Sequence, residues 1–107
     1  MVISLREPGD LKYRDDRFHR IAEEMADIVS RKNADYGNSY FRLRSEWGPM
    51  SFGARLGDKY YRLVNLLQGH KPQVNESVED TIRDIVGYCL LELAYRELDE
   101  GEGTNNE

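Results

Sequence analysis

The chain has 107 residues and a formal net charge of -5. That is one domain's worth of chain, and its acidity excludes broad contact with duplex nucleic acid, where a basic face supplies most of the affinity. A single nucleotide stays within reach, since a few basic side chains and a metal suffice to hold one. Charged residues are 33% of the chain and the hydrophobic set 39%. This balance suits helices with a solvated exterior and a thin core, and a thin core favours a homo-oligomer, dimer or higher. The single cysteine, Cys89, rules out an internal disulfide and points to a cytoplasmic location. The first ten residues lack the basic region and long apolar run of a signal peptide. No apolar stretch reaches membrane-spanning length, so no membrane contact is expected.

Residues 1–14 show no period and read as an N-terminal arm ahead of one helical domain over 15–99. Asp15 or Asp16 can cap a first helix over about 16–33. Its apolar residues Phe18, Ile21, Met25, Ile28 and Val29 share one stripe, opposite Glu23, Glu24 and Asp27,. Arg31 and Lys32 suit the negative end of its dipole. The Asn, Asp, Gly and Ser cluster over 33–39 marks a loop, with Gly37 suited to positive φ. Residues 40–51 have no clean period and contain the helix-breaking Trp47-Gly48-Pro49, leaving room for a short extra helix at most.

A second main helix is predicted over about 52–68, with Leu56, Tyr60, Leu63, Val64 and Leu67 inward and Asp58, Arg62 and Asn65 opposite,. Gly69 and then Pro72 stop it. Asn75 reads as the cap of a third main helix over about 76–99, with Glu79 completing the box. Residues 100–107 read as a disordered tail. The prediction is an all-α bundle of three main helices, plus the short piece, completed by oligomerisation.

The third main helix holds the most informative pattern. At roughly 100° per residue, with Glu76 at zero, Val78, Ile82, Ile85, Val86, Cys89 and Leu93 fall between roughly 180° and 280°. That arc is the predicted core face. Glu76, Asp80 and Asp84 fall at roughly 0°, 40° and 80°. The same arc continues into Gly87, Leu91, Ala94 and Leu98, so the acids head a second apolar stripe. The exposed wedge between holds Glu79, Arg83 and Glu97.

Three such carboxylates repel one another and resist desolvation unless cations compensate. The cation can be Lys or Arg from another helix, or a divalent metal. Oxygen-only ligands suit Mg²⁺ or Mn²⁺ rather than zinc. Equally, acids in the first turns of a helix are favoured by its dipole alone.

Two further clusters carry both an ordinary and a functional reading. Asp58 and Arg62, at i and i+4, make an ordinary surface pair. They can instead set Asp58 among the acids, with Lys59 or Arg62 on phosphate. Arg31-Lys32-Asn33 and Asp35-Tyr36-Gly37 form a helix end and turn, or a loop offering an ammonium, an amide and a ring to a nucleotide. Trp47 is a second candidate for stacking on a base. His19 and His70 have no partner at ligand spacing, which excludes zinc. No Gly-rich phosphate loop and no nucleophile pair is present.

The succession Arg31-Lys32-Asn33-Ala34-Asp35-Tyr36-Gly37, then Arg55-Leu56-Gly57-Asp58-Lys59-Tyr60-Tyr61-Arg62, then Glu76-Ser77-Val78-Glu79-Asp80-Thr81-Ile82-Arg83-Asp84 resembles the nucleotide modification associated domain of phages and bacteria. The resemblance covers residues 18–95. More distantly the layout resembles the MazG-like all-α nucleoside triphosphate pyrophosphatases, helical oligomers in which acids on two helices bind Mg²⁺. It implies metal ligands at Asp58, Glu76 and Asp80, and catalytic carboxylates among Glu76, Asp80 and Asp84. It implies nucleotide or phosphate contacts at Lys32, Asn33, Asp35, Tyr36, Arg55, Lys59 and Arg62, and the host cytoplasm for a phage-encoded chain. The second main helix offers one acid, Asp58, where the MazG-like pattern has two. The implied function is Mg²⁺-dependent (deoxy)nucleoside triphosphate pyrophosphohydrolysis. The alternatives are a non-catalytic sponge for a signalling nucleotide and a helical interaction module.

Overall fold

The computed structural model describes residues 16–103. The arm expected over 1–14 and the tail beyond Gly103 lie outside the described residues. Four helices follow in order: α1 (Asp16–Asp35), α2 (Ser39–Trp47), α3 (Met50–Leu67) and α4 (Val78–Gly103). Among the described residues there is no strand. The three main helices appear near their expected places, and the aperiodic stretch holds the short extra helix, α2, of nine residues. The last helix runs on to Gly103, past the expected start of the tail at 100.

The helix ends follow from local chemistry. At the end of α1, Gly37 and Asn38 take φ of 60° and 59°. The Asn38 amide returns to the Asn33 carbonyl and the Gly37 amide to that of Ala34, a Schellman closure,. Asn33 Nδ2 then donates to Asn38 Oδ1 at 2.6 Å and braces the turn. Gly69, at φ 93°, closes α3 in the same way, with the His70 amide on the Asn65 carbonyl. Pro49 precedes α3 with φ of -62°, which its ring already favours, so it starts this helix rather than breaking one,.

The start of α4 differs from expectation. Ser77, not Asn75, caps it. The Asp80 amide donates to Ser77 Oγ at 3.1 Å, and the Ser77 amide donates to Asp80 Oδ2 at 3.0 Å. This reciprocal box places Asp80 at the third helical position and leaves Glu76 just outside the helix.

α4 is the central element. α1 and α3 pack along it, and α2 bridges α3 and α4. Its packed side carries Thr81, Gly87, Tyr88 and Leu91; of the arc of Val78, Ile82, Ile85, Val86, Cys89 and Leu93 that the wheel assigned to the core, Val78, Ile85 and Cys89 are half-buried and Ile82, Val86 and Leu93 exposed. Ile82 and Leu93 are 45% and 65% exposed. A helix with two apolar arcs has two candidate inner faces, and the chain's own helices cover only the first part of the one headed by the acids, burying Gly87 and half-burying Leu91 while Ala94 and Leu98 stay exposed. On α3 likewise, Tyr60 and Leu67 are exposed, while the side meeting α4 includes Lys59 and Arg62.

What ties α2 to α4 is polar. Glu92, 3% exposed, accepts from Tyr40 Oη at 2.7 Å and from Arg44 Nε and Nη2, both at 2.9 Å. Arg96 Nε, one turn on, donates at 2.7 Å. The Arg44 guanidinium also lies 4.6 Å from the Tyr95 ring centroid. The Arg44 fork holds the Glu92 carboxyl down at about 2, against burial, which alone would raise it; Tyr40 and Arg96 assist. Burial and the bond to Glu92 push the Tyr40 phenol well above its usual range.

Breaking one partner of a buried pair strands the other charge and costs about 3–5 kcal/mol. Glu92→Gln is therefore expected to lower the unfolding free energy by about 3 kcal/mol in urea titration. In the wild type the Glu92 contribution is complete above the ordinary carboxyl value of 4.5 and is lost as pH falls towards 2,. Urea midpoints measured across that window should fall steeply for the wild type and much less for Glu92→Gln.

Candidate functional site

The acids of the 76–84 segment meet their cations across the α3–α4 seam. Lys59 Nζ lies 3.0 Å from Asp84 Oδ2, and Arg62 Nη2 lies 2.9 Å from Glu76 Oε1. Burial lowers the Lys59 ammonium, but the bond to Asp84 and the charges of Asp84 and Glu76 outweigh it and hold it above its usual range. Arg62 meets Glu76 as a charge rather than through an aligned hydrogen bond, and its buried Nε and Nη2 have no hydrogen-bond acceptor. Asp80 is exposed; the Ser77 amide, then the Ser77 hydroxyl, hold its carboxyl below the usual range. Of the two kinds of compensation open to this acidic row, cations from a neighbouring helix supply one.

These acids floor a cleft of about 580 Å³ between the second half of α1 and the first half of α4. That volume is typical of a small-molecule site. Lys32, Asn33 and Tyr36 enter it from the end of α1, where the braced Gly37-Asn38 turn sets their direction. Met25, Ile28, Val29 and Leu91 form an apolar wall, with Val74 and Asn75 from the α3–α4 connection. Arg55, Arg83 and Tyr88 complete the polar lining. Arg55 Nη1 donates to Tyr88 Oη at 3.4 Å, and its guanidinium stands 5.3 Å from the Tyr88 and 5.6 Å from the Tyr40 ring centroid.

Charge distribution sets this cleft apart. Lys32, Arg55 and Arg83 line it together with Glu76, Asp80 and Asp84, Arg83 standing beside Asp80 and Asp84 on α4, and Lys59 and Arg62 stand behind two of those acids. Five cations thus surround three carboxylates in a chain whose net charge is -5. The arrangement offers a basic, partly apolar pocket with ring faces at its edge.

Of the residues singled out from sequence, Lys32, Asn33, Tyr36, Arg55, Glu76, Asp80 and Asp84 all border the cleft. Lys59 and Arg62 act one layer behind it. Asp35 and Asp58 are exposed and outside its lining, and Trp47, 73% exposed, stands at the far end of α2. Among the described residues no three His, Cys, Asp or Glu side chains gather into a group fit for a metal ion, so Asp58, Glu76 and Asp80 do not form one ligand set. Arg83, set in the exposed wedge, and Tyr88 take no site role from the sequence. Arg83 reads as solvated because its place on the wheel lies beside the acids, and only the arrival of α1 turns that place into a wall.

No helix among the described residues is long and apolar enough to cross a membrane. No curated protein and no solved structure matches the chain. Residues 32–94, more than half of it, match the family described as Nucleotide modification associated domain 1. The match begins at Lys32 in the cleft and runs past the Glu92 anchor. The chain belongs to the Nucleotide modification associated domain 1 family.

Proposed function

We propose that the α1–α4 cleft binds a nucleoside polyphosphate. The observation that carries this reading is the excess of cations around the cleft of an acidic chain. Lys32, Arg55 and Arg83 take the phosphate oxygens, where charge-assisted hydrogen bonds are strongest. Tyr36 and Tyr88 offer ring faces to the base, and Met25, Ile28, Val29 and Leu91 an apolar wall to base and sugar. The family's description as nucleotide-modification associated supports the same ligand class.

For the chemistry, we propose hydrolysis of the (deoxy)nucleoside triphosphate to monophosphate and pyrophosphate, with Glu76, Asp80 and Asp84 as the groups that orient water. The carboxylates do not fit a resident metal, because they are not gathered into a ligand set and two of them already meet Lys59 and Arg62. Mg²⁺ or Mn²⁺ therefore enters this proposal as part of the substrate, carried on its phosphates, where one or two carboxylates suffice. The same pairing favours a second reading, binding without turnover, in which the cations hold a signalling nucleotide and the acids only position the cations.

Titration calorimetry of the full chain against a panel of ribo- and deoxynucleoside triphosphates, with Mg²⁺ and with chelator, tests the binding. Arg83→Gln and Lys32→Met should each weaken it about tenfold or more, the equivalent of one charged hydrogen bond. Absence of binding at millimolar nucleotide, or binding indifferent to both variants, would overturn the assignment. Pyrophosphate release on the same samples separates the two readings. Hydrolysis predicts metal-dependent turnover that Glu76→Gln and Asp80→Asn reduce by at least about a hundredfold, the scale of a lost acid–base group. Sponge behaviour predicts chelator-resistant binding and no pyrophosphate.

A further inference from the structure

The side of α4 turned away from α1 and α3 carries a regular seam. Glu79, Ile82, Val86, Cys89, Leu93 and Arg96 follow one another at spacings of three, four, three, four and three. That is the heptad a/d rhythm of a helix that packs against another helix. Yet, among the described residues, Ile82, Val86 and Leu93 are exposed and Cys89 is only half-buried. A helix apolar on both sides is normally covered on both.

The seam is complementary to itself in one direction only. Laid antiparallel on a second copy about the midpoint between Gly87 and Tyr88, Ile82 faces Leu93 of the other copy and Val86 faces Cys89. The two apolar layers recur by symmetry, giving four. At each end the same register sets Glu79 against Arg96, so both outer layers join opposite charges. A parallel arrangement would stack Glu79 on Glu79 and Arg96 on Arg96. An isologous contact requires this kind of self-matching, and charge complementarity fixes its register.

We propose that the chain forms a two-fold dimer through antiparallel pairing of α4 along this seam. The cleft residues Asp84, Gly87 and Leu91 lie on the opposite side of α4, so both clefts stay open in the dimer.

Analytical ultracentrifugation of the full chain should give twice the 12.5 kDa chain mass, and a short bis-maleimide should join two chains through the single Cys89. Val86→Glu, which puts two carboxylates into the central layers of the seam, one from each copy, is expected to give a monomer with unchanged helical circular dichroism. Glu79→Arg sits on an exposed side chain and tests the register without touching the fold. It should raise the dissociation constant about tenfold by replacing two attractions with two repulsions. Glu79→Gln, which removes the attraction without adding a repulsion, should weaken the dimer less; parallel pairing predicts the opposite sign, because Glu79 would then face its own copy. A monomeric wild type at all concentrations overturns the proposal. So does a dimer indifferent to both Val86→Glu and Glu79→Arg, which would place association on another face.

Discussion

The buried Glu92 carboxylate is the constraint around which the described chain is arranged. Its oxygens are shared among Tyr40, Arg44 and Arg96, and an ion this deeply buried is tolerable only with such full partnership. To deliver Tyr40 and Arg44 together, residues 39–47 must be helical, so that the two side chains share a face. To start that helix at Ser39, α1 must end in a tight reversal, which Gly37 and Asn38 provide. The reversal in turn points Lys32, Asn33 and Tyr36 along the cleft. One interaction on α4 thus reaches the nucleotide-facing residues of α1 through a chain of geometric necessities.

The legible and illegible parts of this fold divide along physical lines. α1 and α3 announce themselves by periodic apolar residues, and Gly37 and Gly69 mark their ends because left-handed backbone is cheap for glycine. α2 is silent because the positions it buries are Tyr40 and Arg44, and a buried arginine leaves no apolar period. Glu92 is silent for the same reason: nothing local distinguishes a carboxylate that will be enclosed from one that will be solvated. α4 misleads in a different way. Its two apolar arcs are both real, and sequence periodicity cannot say which one meets the rest of the chain. The acidic row was visible, as was its need for cations; Lys59 and Arg62 as the partners emerge only when α3 is laid beside α4.

The electrostatics of the cleft follow from that pairing. Two of the carboxylates that would repel an incoming phosphate, Asp84 and Glu76, are offset from behind by Lys59 and Arg62, and Asp80 has Arg83 beside it, so the ligand meets Lys32, Arg55 and Arg83 against a muted background. Arg62, with nitrogens that lack a hydrogen-bond acceptor, retains donor capacity at the edge of this layer.

The Glu92 anchor also bears on how the molecule comes apart. α3 and α4 are joined by residues 68–77 and meet through pairs as far apart as the 33 positions of Arg55 and Tyr88, whereas Tyr40 and Arg44 reach a partner 52 and 48 positions away. Segments held by few, distant contacts open first in native-state fluctuations. The cleft has one wall on α1 and one on α4, so it exists only while the two are closed. Occupancy of the cleft is in this way coupled to amide protection along α1, a helix most of whose residues never touch the ligand.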